Sequence, residues 1–135
     1  MWRILFFVAC VCLFWTLSST KAEKQHLQNI IKECQSDPKM RVSKTVIRKI
    51  KMGEWTEEDN LKRALFCIAK KTGIQNEDGT LNPTKIQSKW ATHYDSDDLN
   101  RLMGCVKEYD TPEKTAYELF KCRQSVLGID KNFVR

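Results

Sequence analysis

The sequence lacks the patterns on which most enzymes and metal proteins rely. It contains no Cys-x-x-Cys pair, which argues against a zinc site or a thioredoxin-type redox centre. It has two histidines, His26 and His93, and no nucleophile-elbow serine. Neither histidine sits beside a cysteine and an acid, as a secreted phospholipase would require. His93 adjoins Tyr94 and Asp95 at an expected helix boundary, a common place for a solvated turn histidine. Asn82-Pro83-Thr84 is barred as a glycan acceptor by its proline, and no other N-x-S/T triplet occurs. Strand signals are also missing: there is no sustained alternation, and β-branched residues do not cluster. There are no internal repeats, low-complexity segments or linkers. These absences leave a non-enzymatic, all-α reading with no catalytic residue, cofactor or metal.

The N-terminus is the one long apolar run. Arg3 gives a basic start, Ile4 to Leu17 is almost wholly apolar, and Ser18 to Ala22 is small and polar. That is the layout of a secretory signal peptide. About 14 apolar residues fall short of the roughly 20 that a bilayer span needs. Cleavage is expected after Ala22, leaving 23–135 as one secreted, extracellular domain that does not span a membrane. Removal of 1–22 takes away Arg3 and Lys21 and no acid, so the net charge falls from +6 to +4. The remaining charges are interspersed, which suits a solvated surface better than a nucleic-acid groove.

Four cysteines stay in the released chain: Cys34, Cys67, Cys105 and Cys122. An even number in a secreted chain implies two disulfides, and spacing alone leaves three pairings open. The rest reads as about six short helices. The first runs from Lys24 to about Gln35, with Leu27, Ile30, Ile31 and Cys34 on one side. Asp37-Pro38 ends it. Ser43 caps a second helix with Val46, Ile47 and Ile50 apolar, and Gly53 closes it. Thr56 is expected to cap a third helix, with Leu61, Leu65 and Ile68 as its inner stripe and Gly73 as its stop. Asn82-Pro83 opens a fourth carrying Ile86 and Trp90. Asp95 or Ser96 caps a fifth with Leu99, Leu102, Met103 and Val106. Thr111-Pro112 starts a sixth with Ala116, Tyr117, Phe120 and Cys122. The tail after Ser125 is apolar enough that packing is expected of it. Short crossed helices need staples and readily leave an internal apolar cavity.

The cysteine frame resembles that of the insect odorant-binding proteins, which usually carry six. Cys34, Cys67, Cys105 and Cys122 match the family's first, third, fourth and sixth. Its second lies one helical turn before the third, where this chain has Arg63, and its fifth falls at Glu113. The stretches around Gly53-Glu54-Trp55, Asn76-Glu77-Asp78-Gly79 and Glu113-Lys114-Thr115-Ala116-Tyr117 are similar too. The missing pair are each other's partners, as in the four-cysteine subgroup called C-minus. The resemblance implies bridges Cys34–Cys67 and Cys105–Cys122, and an Arg63–Glu113 ion pair is expected in place of the third. The four-cysteine chemosensory proteins fit less well, since their cysteines form short-spaced pairs.

The resemblance also implies a function in olfaction or related transport: reversible binding of a small hydrophobic odorant, pheromone or lipid-like ligand. A membrane chemoreceptor would be the downstream partner. Candidate ligand-binding residues are Ile50, Trp55, Leu65, Ile68, Trp90, Met103, Tyr117, Phe120 and Phe133. Each is also an ordinary core residue type, so spacing alone does not separate the two roles. A second reading is a salivary or defence effector on the same fold, sequestering a mediator or binding a surface. Clustering of Lys44, Arg48, Lys49, Lys51, Lys62, Lys70 and Lys71 on one face would favour it.

Overall fold

The computed structural model describes residues 22–128, so the tail with Phe133 and the apolar leader lie outside the described residues. Six helices follow one another: α1 (22–36), α2 (Lys44–Lys51), α3 (Asp59–Lys71), α4 (Pro83–Ala91), α5 (Ser96–Met103) and α6 (Pro112–Leu127). No strand occurs among the described residues, where Gln75 and Leu81 form an isolated bridge.

Local chemistry accounts for most helix starts. The Ser43 hydroxyl accepts from the Val46 N–H at 3.2 Å, and Asn82 Oδ1 from Lys85 N–H at 3.1 Å. Asp95 Oδ1 accepts from Asp98 N–H at 2.8 Å, and the Thr111 hydroxyl from Lys114 N–H at 3.1 Å. Each satisfies a first-turn donor that has no partner within its own helix. The third helix departs from expectation. It opens at Asp59 with Glu58 as an N-cap that makes no side-chain bond, and the Thr56 hydroxyl is buried without a partner. The reason is tertiary: the segment before α3 seats Trp55 against Tyr117 and Gln124, which carries Thr56 away from the helix start.

α3 packs chiefly against α6, and α5 packs against both α4 and α6. The buried face of α3 is Leu61, Ala64, Cys67 and Ala69. Leu65 and Ile68, expected in its inner stripe, are half-buried at its margins. Ala69 and Ala116 are fully excluded from solvent, and Ala64 nearly so. Small side chains on both helices let a neighbouring segment approach closely. Around this pair lie three clusters. The largest includes Ile74, Leu81, Ile86, Trp90, Leu102 and Leu119. The second holds Val42, Val46, Leu61, Ala64 and Tyr117, and the third Ile30 and the Cys34–Cys67 bridge. Leu27 and Ile31, which share one side of α1 with Ile30 and Cys34, are exposed, as is Ile47 of α2.

The disulfides are Cys34–Cys67, with Cα atoms 6.0 Å apart, and Cys105–Cys122, at 5.6 Å. The first ties α1 to α3, and the second ties the segment after α5 to α6. Each restricts the unfolded chain and stabilises by about 2–4 kcal/mol.

The connection between α3 and α4 is held from inside. Gln75 is 1% exposed, and its Nε2 donates to the carbonyls of Gly79 at 2.8 Å and Pro112 at 2.9 Å. Gly79 has φ +92°, and a Cβ placed there would overlap the Pro112 ring. Gly79→Ala therefore combines positive-φ strain with overpacking, and the expected loss is about 2 kcal/mol or more. Urea denaturation of both proteins measures it, and a loss under ~0.5 kcal/mol would contradict this packing of turn against helix.

Candidate functional site

The end of α2, the middle of α3 and the C-terminal half of α6 enclose a cleft of about 310 Å³. Ile50, Trp55, Leu65, Phe120 and Leu127 supply its apolar wall, and Lys51, Tyr94, Arg123, Gln124 and Gly128 complete it. Phe120, Arg123, Gln124 and Leu127 follow the spacing that places residues on one face of a helix.

The polar groups of this wall are held in fixed positions. Trp55 Nε1–H donates to Gln124 Oε1 at 2.6 Å, and Gln124 Nε2 donates to the Ile50 carbonyl at 2.7 Å. One amide thereby clamps the loop before α3 and the last turn of α2 onto α6. Arg123 Nη2 donates to the Tyr94 hydroxyl at 2.5 Å, and its guanidinium carbon lies 5.7 Å from the Tyr94 ring centre. Behind Trp55 stands Tyr117, edge-to-face with it at 5.5 Å between ring centres. Tyr117 is 1% exposed, and its hydroxyl has no hydrogen-bond partner. Burial first, then the charges of Glu57 and Glu118, push its phenol above the ordinary value.

The described residues also form two further clefts. One of about 560 Å³ runs between α1, the end of α3 and α4, and includes His26, Leu27, Lys71, Lys85 and His93. The other, of about 250 Å³, is lined by residues including Arg63, Phe66, Cys67 and Glu113. Arg63 and Glu113 thus share a cleft, but the expected ion pair is not formed. The ion pairs of the described residues are Lys62–Glu57, Lys70–Glu77, Lys71–Glu33 and Arg101–Asp98. The lysines of α3 each face an acid, so they make a mixed surface and not a patch of one sign. Lys71 and Lys62 hold the Glu33 and Glu57 carboxyls below their ordinary values through hydrogen bonding and charge.

A model of the PBP/GOBP family matches residues 17–125. The chain belongs to that family. Two relatives from Tenebrio molitor are the B2 protein, 31% identical, and the B1 protein, 30% identical. The alignments cover 84% of this chain and 87% of the B2 protein or 85% of the B1 protein. Among solved structures, odorant binding protein 4 of Chrysopa pallens superposes with a TM-score of 0.60 at 18% identity. That match covers 76% of this chain and 87% of the other, and it shows a shared fold. The resemblance drawn from the cysteine frame therefore holds at the level of the family. Both bridges that it implied are formed in this PBP/GOBP chain.

Of the residues singled out from sequence, Ile50, Trp55, Leu65 and Phe120 come together in the α2–α3–α6 cleft. Tyr117 lies one layer behind it. Ile68 packs on the Cys34–Cys67 cluster, while Trp90 belongs to the largest core cluster and Met103 packs against it. Phe133 lies outside the described residues. Tyr94, Arg123, Gln124 and Leu127 were missed. For three of them a signal existed: they share a helical face with Phe120. Tyr94 had none, because it reaches the cleft from the connection between α4 and α5.

Tyr117→Phe removes a buried hydroxyl that lacks a partner. At pH 7 the variant should therefore equal the wild type within about 1 kcal/mol or be more stable. The raised phenol pKa also fixes a sign. Its contribution is complete below the unfolded value of 10.0 and is lost as pH rises from there through the raised folded value. Wild type should lose more stability than the variant across that window. Urea profiles that shift equally for both proteins on passing from pH ~9 to ~11 would contradict this.

Proposed function

We propose that this chain is a secreted carrier that binds a small hydrophobic molecule reversibly and performs no chemistry on it. The observation that carries the reading is the α2–α3–α6 cleft: an apolar wall with a few rigidly held polar groups, the usual composition of a small-molecule site. Membership of the PBP/GOBP family supports it, as does a fold shared with a protein titled an odorant-binding protein. Residues 1–22 act as the signal peptide in this reading, and 23–135 is the released carrier of the four-cysteine, C-minus type. Delivery to a membrane chemoreceptor is the downstream step. Ile50, Trp55, Leu65 and Phe120 contact the ligand, with Leu127 beside them. A ligand burying about 300 Å² of apolar surface gains on the order of 7 kcal/mol before the costs of association, which sets affinity at micromolar or weaker.

Displacement of an apolar fluorescent probe from oxidised 23–135 tests the site. The expected outcome is saturable one-site binding with micromolar displacement. Leu65→Trp should fill the cleft and abolish binding while the far-ultraviolet circular dichroism stays unchanged. Absence of a saturable site, with both disulfides verified, would overturn the carrier reading and bring forward a surface effector. Secretion is tested separately by expressing the full chain in eukaryotic cells and determining the N-terminus of the product in the medium. It should begin within a few residues of Glu23, and retention of intact chain in the membrane fraction would contradict the leader.

A further inference from the structure

The carrier reading leaves the ligand's chemistry open, and one side chain in the cleft narrows it. Arg123 spends Nη2 on the Tyr94 hydroxyl and lays its guanidinium near the Tyr94 ring. Its Nε is shielded from solvent and has no hydrogen-bond partner. Among the described residues, no carboxylate lies within ion-pair distance of Arg123, and the lining of the cleft includes no Asp or Glu. A desolvated N–H on a permanently charged group is costly to leave unmet. The guanidinium presents its donors as a planar fork, which matches the two oxygens of a carboxylate. The same cleft is lined by Ile50, Trp55 and Leu65, which suit a hydrocarbon chain.

Resting on the carrier reading, we propose that Arg123 makes the α2–α3–α6 cleft selective for a medium-chain carboxylic acid, its carboxylate on Arg123 and its chain along the apolar wall. The volume agrees. A space of about 310 Å³ corresponds to about ten groups at ~30 Å³ each, the size of an eight-carbon acid. Gln124 is already committed at both ends, to Trp55 and to the Ile50 carbonyl, whereas the Arg123 guanidinium donates to Tyr94 and has no carboxylate partner among the described residues.

The test compares octanoate with 1-octanol as competitors for the same fluorescent probe at pH 7. Octanoate is the less hydrophobic of the two, so apolar burial alone would favour the alcohol. Wild type should prefer octanoate by about tenfold, the scale of one charge-assisted hydrogen bond. Arg123→Met should bring the ratio of the two dissociation constants to about threefold or less, and Arg123→Lys should give an intermediate ratio. A wild-type ratio near one would overturn the proposal. So would a preference that survives Arg123→Met. If Arg123→Met does not fold, the wild-type ratio and Arg123→Lys decide. A probe that binds but yields to neither compound sinks this inference and spares the carrier; a probe that does not bind sinks the carrier itself.

Discussion

The packing of α3 against α6 is the contact on which the rest of the molecule depends. Helices of 8 to 16 residues are marginal on their own in water. Here each gains its stability from a neighbour, and α3 and α6 are the pair that the others join. Ala64, Ala69 and Ala116 supply small surfaces there, and Leu61, Tyr117 and Leu119 fill the space around them. Neither disulfide joins the two helices to each other. Each instead fastens another part of the chain to one member: α1 to α3 through Cys67, and the segment after α5 to α6 through Cys122. Covalent constraint and close packing therefore act at different places and do not duplicate one another.

The cleft follows from the same arrangement. Leu65 of α3 and Phe120 of α6 are only half-buried, and Ile50 of α2 and Trp55 line the same cleft. Such an opening needs polar groups to set its shape, since apolar contacts have no direction. Gln124 does this with two hydrogen bonds that reach Trp55 and the Ile50 carbonyl. Gln75 has the same role on the other side of the molecule, where its amide joins the turn after α3 to the start of α6. In both cases one side-chain amide, buried at Gln75 and half-buried at Gln124, fastens its helix or turn to a segment far away in sequence.

Charge has a different distribution from the one the missing cysteines suggested. Arg63 and Glu113 face one cleft without pairing, so the third bridge has no electrostatic substitute between those positions. An exposed pair would have contributed little in any case, typically 0–1 kcal/mol. What holds α3 to α6 is apolar packing, and Lys62 and Lys121 flank the Tyr117 ring at 5.4 and 5.6 Å from its centre. Arg63 is exposed and Glu113 half-buried, and the apolar packing beneath them proceeds without a bond between the two.

The sequence by itself determined the helical class, four helix starts with their capping residues Ser43, Asn82, Asp95 and Thr111, and, through the family's cysteine frame, both disulfides. Those features rest on local chemistry: a capping oxygen near a first-turn N–H, a proline that cannot continue a helix, apolar residues at helical spacing. Tertiary structure decided the start of α3, because seating Trp55 outweighed a threonine cap. It decided that Leu27, Ile31 and Ile47 face outward. It also decided which aromatics are core and which line a cleft: Trp55 and Trp90 have the same side chain, and only the paths of the helices put one beside Gln124 and the other beneath α5. Periodicity reports which face of a helix is apolar. What lies opposite that face, another helix or an open space, depends on crossing geometry, which no single stretch of sequence encodes.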